Sequence, residues 1–152
     1  MQKITPFLWF NGNIEEAMNF YTSIFKNGKI LNIHRVGGVK GKMLTATFEL
    51  EGQKFMALDG GPMFKFTEAI SFFVSCKTQE EVDFFWEKLS AGGEKSRCGW
   101  LKDKFGLSWQ IIPDALGKLM GDPDPVKAKR MMDAMMQMNK IEIKGLEKAH
   151  KG

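Results

Sequence analysis

One stretch of the chain reads twice, 65 positions apart, and this duplication constrains the fold more than any other feature. Asn13–Gly28 aligns with Thr78–Gly93. Glu15-Glu16 falls on Glu80-Glu81, Phe20-Tyr21 on Phe85-Trp86, Ile24 on Leu89, and Asn27-Gly28 on Gly92-Gly93. Upstream, the apolar run Phe7–Phe10 falls on Phe72–Ser75. Each copy opens with a short apolar strand. A capping residue follows (Asn13 or Thr78), with acids in the first helical turn. Ala17, Phe20, Tyr21 and Ile24 recur at three- and four-residue spacing, as do Val82, Phe85, Trp86 and Leu89, so each helix buries one face. Asn27-Gly28 and Gly92-Gly93 tolerate the left-handed backbone that ends a helix.

Three strands follow each helix. In the first copy they are Lys29–Val36, Met43–Glu51 and Lys54–Asp59, separated by the Gly37–Gly41 turn and the Glu51-Gly52-Gln53 turn. In the compressed second copy they are Glu94–Trp100, Leu101–Lys104 and Leu107–Pro113. The pattern predicts an α+β fold of two tandem βαβββ modules. They would form a curved mixed sheet with helices outside and a concave cleft. We place the first module at 1–61, the second at 69–113 and a C-terminal helical extension at 114–152, within a single domain spanning 1–152. In the extension, Asp114–Met120 and Val126–Met138 read as helices around the Gly121–Pro125 breaker, with Pro125 in a first turn.

Composition excludes several alternatives. At 152 residues with 43% hydrophobic and 26% charged residues, the chain is ordinary globular material. No apolar run approaches the ~20 residues that span a bilayer, so no membrane association is expected. Met1–Pro6 does not read as a secretory signal, and two cysteines 22 positions apart make no disulfide framework. A cytoplasmic location is therefore expected. Of the net charge of +4, most lies in Pro123–Gly152, which holds seven Lys/Arg and four Asp/Glu. Interspersed acids make this a solvated helix face, and no nucleic-acid partner is expected.

Several segments carry a family resemblance. They are Trp9-Phe10-Asn11-Gly12, Glu16–Tyr21, Leu58-Asp59-Gly60-Gly61-Pro62, Gln79–Asp83, Cys98–Asp103, Gly106–Gln110 and Ala134–Ile141. With the duplication, they make the chain resemble the vicinal-oxygen-chelate superfamily of glyoxalase I, bleomycin-resistance proteins and extradiol dioxygenases. More narrowly it resembles the PhnB-like branch, often labelled 3-demethylubiquinone-9 3-methyltransferase. The label finds no support in the sequence: no strand–Gly-x-Gly-x-x-Gly–helix is present to hold S-adenosylmethionine.

The resemblance implies a divalent metal held by side chains on the first and last strands of each module. Counting back from each helix start puts Pro6 and Ser71 at the first-strand positions, with Ala57 and Gln110 on the last strands. None is a strong ligand, so no metal and no cofactor are expected. Strand alternation from these positions turns Leu8, Phe10, Phe55, Ala57, Asp59, Ser71, Phe73, Ser75, Ser108, Gln110 and Ile112 toward the cleft. Thr45, Thr47 and Glu49 join them. Phe7, Trp9, Phe72, Val74, Trp109 and Ile111, with Leu44, Ala46, Phe48 and Leu50, then form the core. A one-residue slip would exchange these sets.

The candidate ligand-binding residues are thus Leu8, Phe10, Thr45, Thr47, Phe55, Ser71, Phe73, Trp100 and Gln110. Trp100, beside Cys98 and Gly99, is the stacking candidate, while Cys98 itself reads as an inert thiol. Glu49 and Asp59 are the catalytic candidates, as general bases if burial raises their pKa. Met131, Met132, Met135, Met136 and Met138 form a helical stripe suited to a homodimer contact, with Lys140–Ile143 adding a short strand there. The expected function is metal-independent binding of a small organic molecule by a homodimer, through sequestration or sensing. Two alternatives are an enzyme of the lyase, isomerase or dioxygenase type, and an interaction protein acting through the methionine helix.

Overall fold

The computed structural model describes residues 2–152. The chain forms two compact units, one ending at Phe66 and the other running Thr67–Gly152. The first contains β1 (Phe7–Phe10), α1 (Ile14–Ile24), β2 (Lys29–Val36), β3 (Lys42–Leu50) and β4 (Gln53–Asp59). The second repeats the order with β5 (Ser71–Cys76), α2 (Gln79–Ser90), β6 (Glu94–Lys95), β7 (Trp100–Lys102) and β8 (Ser108–Pro113). It then continues as α3 (Asp114–Met120), α4 (Pro125–Met135) and α5 (Ile143–Lys151). The fold is α+β, with two βαβββ modules and helices at the C-terminal end.

Each module has a four-stranded mixed sheet, ordered β1-β4-β3-β2 in the first and β5-β8-β7-β6 in the second. The outer strand β1 runs parallel to β4, and β5 runs parallel to β8. The remaining neighbours are antiparallel. Thr78 caps α2 as expected, its hydroxyl accepting from the N–H of Glu81 at 3.2 Å. Asn13 occupies the same place before α1 but makes no side-chain cap hydrogen bond. The stops also behave as expected: Asn27 has φ 56° and Gly92 φ 76°.

The first core lies between α1 and its sheet. Ala17, Met18, Tyr21 and Ile24 are buried with Ala46, Phe48, Leu50, Phe55 and Ala57. The Tyr21 ring stacks on Phe48 at 6.2 Å, and Phe48 stacks on Phe55 at 5.2 Å. These contacts fix which face is covered and correct the expected alternation. Phe48 pairs with Phe55, Ala46 with Ala57, Leu8 with Ala57 and Phe10 with Asp59. Leu8, Phe10, Phe55, Ala57 and Asp59 therefore belong to the helix-covered face, not to a cleft. Phe7, 51% exposed, and Trp9 take the open face instead. Leu44 also leaves the core, because the ladder shifts register between His34 and Arg35 and buries Met43 in its place.

The cause is one residue. The β1–α1 junction is Asn11-Gly12-Asn13, whereas the β5–α2 junction is Lys77-Thr78. The helices keep the 65-residue offset, but buried Phe10 corresponds to buried Cys76, an offset of 66. One extra residue in a strand-to-helix connection inverts the alternation of the strand before it. Gly12, with φ +78° and open space where a Cβ would stand, accommodates the extra residue.

In the second module the strands alternate as expected, but Ile112, expected in the cleft, is buried under the C-terminal helices. Trp109, Ile111 and Leu101 are buried, and α2 contributes Val82, Trp86 and Leu89. Ser71, Phe73, Ser108 and Gln110 share the other face. The C-terminal helices pack on this module as well. Met131 and Met135 are buried with Ile112, Leu116, Ile141 and Leu146, and Met132 and Met138 lie against that cluster. This corrects the expected use of the methionine stripe at a dimer contact: it covers the chain's own second module, and only Met136 is largely exposed, at 52%. Nor do Lys140–Ile143 form a strand. The Gln79 side chain supplies the backbone partners there, donating to Ile141 O at 3.0 Å and accepting from Ile143 N at 2.8 Å, and α5 then begins.

Candidate functional site

Each sheet has an open face, and register fixes its side chains. On the first, Phe7, Met56, Thr47 and Asn32 form one cross-strand row, and Trp9, Leu58, Thr45 and His34 form the next. Glu49 lies beyond them between Lys54 and Lys29, with Lys29 Nζ 3.5 Å from its carboxylate. Thr45, Thr47 and Glu49 thus reach the expected face, whereas Leu8, Phe10 and Phe55 are spent on the core. Trp9 donates from Nε1 to Gly61 O at 2.9 Å. A Cβ on Gly60 would stand 2.3 Å from the Trp9 ring, so this tight approach needs glycine.

Asp59 ends β4 on the covered side. Its Oδ1 accepts from Gly12 N at 2.7 Å, and Lys42 Nζ lies 3.2 Å from Oδ2. Burial pushes the carboxyl up, but the Gly12 N–H, the Lys42 ammonium and the Gly61 N–H outweigh it and hold it below the usual carboxylate range. This is opposite to the raised pKa expected of a general base. Asp59 clasps the extra-residue junction. A group whose folded pKa is depressed stabilises the fold above its unfolded pKa, about 3.9, and loses that stabilisation as pH falls through the folded value. Asp59→Asn is therefore expected to melt below the wild type at neutral pH. The gap should narrow toward pH ~3, and a gap that stays constant in melts across that range would contradict the clasp.

The second open face carries a cavity of about 520 Å³ lined by Glu68, Glu94, Ser96, Arg97, Cys98, Trp100, Leu101, Lys102 and Ser108. Three features shape it. Lys102 ion-pairs with Glu68, which holds the Glu68 carboxyl low and the Lys102 ammonium high. Cys98 and Gly99 have φ +58° and +83°. Their N–H groups donate to Met138 O and Asn139 O, both at 2.8 Å, which fastens the wall to the C-terminal extension. Ser108, 1% exposed, has its Oγ buried without a hydrogen-bond partner. Beside the cavity, Gln110 Nε2 donates to Ser71 Oγ at 2.9 Å. The structure thus gathers Trp100, Ser71, Gln110 and Phe73 on one face. Sequence reasoning placed Ser108 on that face, but its hydroxyl is buried away from solvent.

Neither module offers a donor set that fits a divalent cation. Phe7 pairs with Met56 as Phe73 pairs with Gln110, so the first-module counterparts of Ser71 and Gln110 are Thr5 and Met56 rather than Pro6 and Ala57. The hydroxyl and thioether of the first module carry no charge, and neither do the hydroxyl and carboxamide of the second. Among the described residues no three His, Cys, Asp or Glu side chains converge as a metal site would require. No helix among them is long and apolar enough to cross a membrane.

A family model described as 3-demethylubiquinone-9 3-methyltransferase matches residues 2–112. Among solved structures, the PhnB protein from Bacillus cereus is 42% identical over 74% of this chain and 99% of that chain, with a TM-score of 0.68. A Pseudomonas aeruginosa protein, 21% identical, covers 74% of this chain and 98% of its own at a TM-score of 0.63. The fosfomycin resistance protein FosX from Listeria monocytogenes, solved with Mn(II) and 1S,2S-dihydroxypropylphosphonic acid, is 18% identical over 72% and 90%, with a TM-score of 0.54. These last two share the fold alone. No curated protein matches the chain.

Proposed function

The chain belongs to the 3-demethylubiquinone-9 3-methyltransferase family, a PhnB-like branch of the vicinal-oxygen-chelate superfamily, and from that premise we propose that it binds a small organic molecule without a metal. The site is the cavity on the open face of the second sheet. The observation that carries this reading is Trp100 in the wall of that cavity, with the Gln110 amide and the Ser71 hydroxyl on the same sheet face. A volume of about 520 Å³ suits a small ligand, with Trp100 as its apolar platform.

Sequestration or sensing fits the chemistry better than turnover. Of the two candidate bases, Asp59 is clasped to the β1–α1 junction and Glu49 lies beside Lys29. The donors of each module are neutral, Thr5 and Met56 in the first and Ser71 and Gln110 in the second, which argues against Lewis-acid polarisation of a substrate. The methyl transfer in the family description also lacks support here, since these mixed sheets with one helix per βαβββ module are not a doubly wound nucleotide-binding sheet.

Calorimetric titration of aromatic ketones and thiol adducts tests the reading, with EDTA and with added Mn(II) or Zn(II). Binding is expected to be equal under both conditions and to weaken by about tenfold or more in Trp100→Ala. Binding that needs the cation removes the metal-free part of the proposal. An unchanged affinity in Trp100→Ala removes the cavity.

A further inference from the structure

Trp100 enters β7 from the turn Arg97-Cys98-Gly99-Trp100, which Trp100 N closes by donating to Arg97 O at 3.0 Å. The two central residues, Cys98 and Gly99, have φ +58° and +83°. A type I′ hairpin turn requires positive φ at both places and prefers Asn-Gly there. Cysteine is disfavoured in the first of them, because its Cβ crowds the left-handed backbone. The β6–β7 ladder behind the turn is two residue pairs long, too short to impose the conformation alone.

The C-terminal extension supplies what the turn lacks. The N–H groups of Cys98 and Gly99 donate to Met138 O and Asn139 O, both at 2.8 Å. A Cβ on Gly99 would stand 2.8 Å from Ile111 O and 3.2 Å from Ile141 Cγ1, so the turn is wedged between β8 and the extension. Residues 136–142 lie between α4 and α5, outside any helix or strand. What holds them is α2: the Gln79 amide donates to Ile141 O at 3.0 Å and accepts from Ile143 N at 2.8 Å, and Lys140 pairs with Asp83 one turn along that helix. The family model ends at residue 112, so this support lies beyond the part of the chain it describes. We propose that Gln79, which lies outside the cavity lining, is a positioning residue for the ligand site. Acting through residues 136–141, it sets the Cys98-Gly99 turn and with it the place of the Trp100 ring. This rests on the cavity reading above and adds the extension to the site. Because coupling between two parts of a protein is reciprocal, a ligand at Trp100 also tightens the extension.

Two readouts on folded protein, well below each melting transition, test the assignment. One is the affinity for acetophenone by calorimetry. The other is acrylamide quenching of Trp100, taken as the difference between each protein and its Trp100→Phe form. Gln79→Ala is expected to bind about fivefold more weakly than the wild type, and its Trp100 quenching should rise. Asp59→Asn, which loosens the first module, controls for a general loss of stability and should match the wild type in both. Either readout unchanged in Gln79→Ala overturns the assignment, and so does an equal loss of affinity in Asp59→Asn. If Gln79→Ala does not fold, amide exchange of the wild type with and without acetophenone decides. Protection that rises in 97–100 and in 136–143 together supports the coupling, and protection confined to 97–100 overturns it. If acetophenone does not bind the wild type, the cavity reading fails with this ligand, while the quenching comparison still shows whether Gln79 positions Trp100.

Discussion

Phe48→Ala is expected to lower the free energy of unfolding by roughly 3–5 kcal/mol. Phe48 is 1% exposed and stands between two stacked rings, Tyr21 of α1 and Phe55 of β4. Truncation removes the transfer free energy of the ring and leaves a cavity. The paired strands on both sides hold that cavity open, because Phe48 and Phe55 are direct cross-strand partners. Equilibrium urea unfolding measures the loss. Thr47→Ala, one residue away on the open face, is expected to cost under about 1 kcal/mol. Equal losses in the two variants would contradict the covered-face assignment of the first sheet.

Asp103→Ala is expected to cost about 3–4 kcal/mol by the same measurement. Asp103 is 2% exposed, and its carboxylate organises the β7–β8 hairpin. Oδ1 accepts from Phe105 N at 2.9 Å and Leu107 N at 3.1 Å, while Oδ2 accepts from Trp109 Nε1 at 2.9 Å. Alanine leaves these three donors without their acceptor inside the fold, and an abandoned buried donor costs more than a made hydrogen bond returns. Asp103→Asn keeps the shape but only one acceptor atom, so about half of the loss is expected. A loss under about 1 kcal/mol in the alanine variant would show that the hairpin does not depend on this carboxylate. Because β7 presents Trp100 beside Gln110 of β8, a loosened hairpin also loosens the ligand site.

The helices were legible because their spacing survived duplication: Ala17, Tyr21 and Ile24 bury the same face as Val82, Trp86 and Leu89. The open face of the second sheet was legible for the same reason. The first sheet misled because alternation was carried from helix to strand across a junction whose length had changed. A signal to correct it was present. Glu51-Gly52 is a two-residue turn with φ 49° and 82°, so Leu50 pairs with Gln53 and Phe48 must face Phe55. That pairing alone would have placed Phe55 in the core and Asp59 on the covered side. The C-terminal segment was harder. Lys140–Ile143 alternates like a strand, but the Gln79 amide takes the place of a neighbouring strand, a tertiary contact 62 residues away along the chain. The burial of the Ser108 hydroxyl without a partner was out of reach, since a hydroxyl is orphaned only by what its neighbours fail to offer.

The three-residue β1–α1 junction has a consequence for anyone reshaping the site. The two halves match position for position along their helices but not along their outer strands. A graft transferred from β5 to β1 by alignment would point through the sheet into the hydrophobic interior. Making the halves chemically equivalent again is a matter of changing chain length by one, with the Gly12–Asp59 clasp as the place where that residue is held.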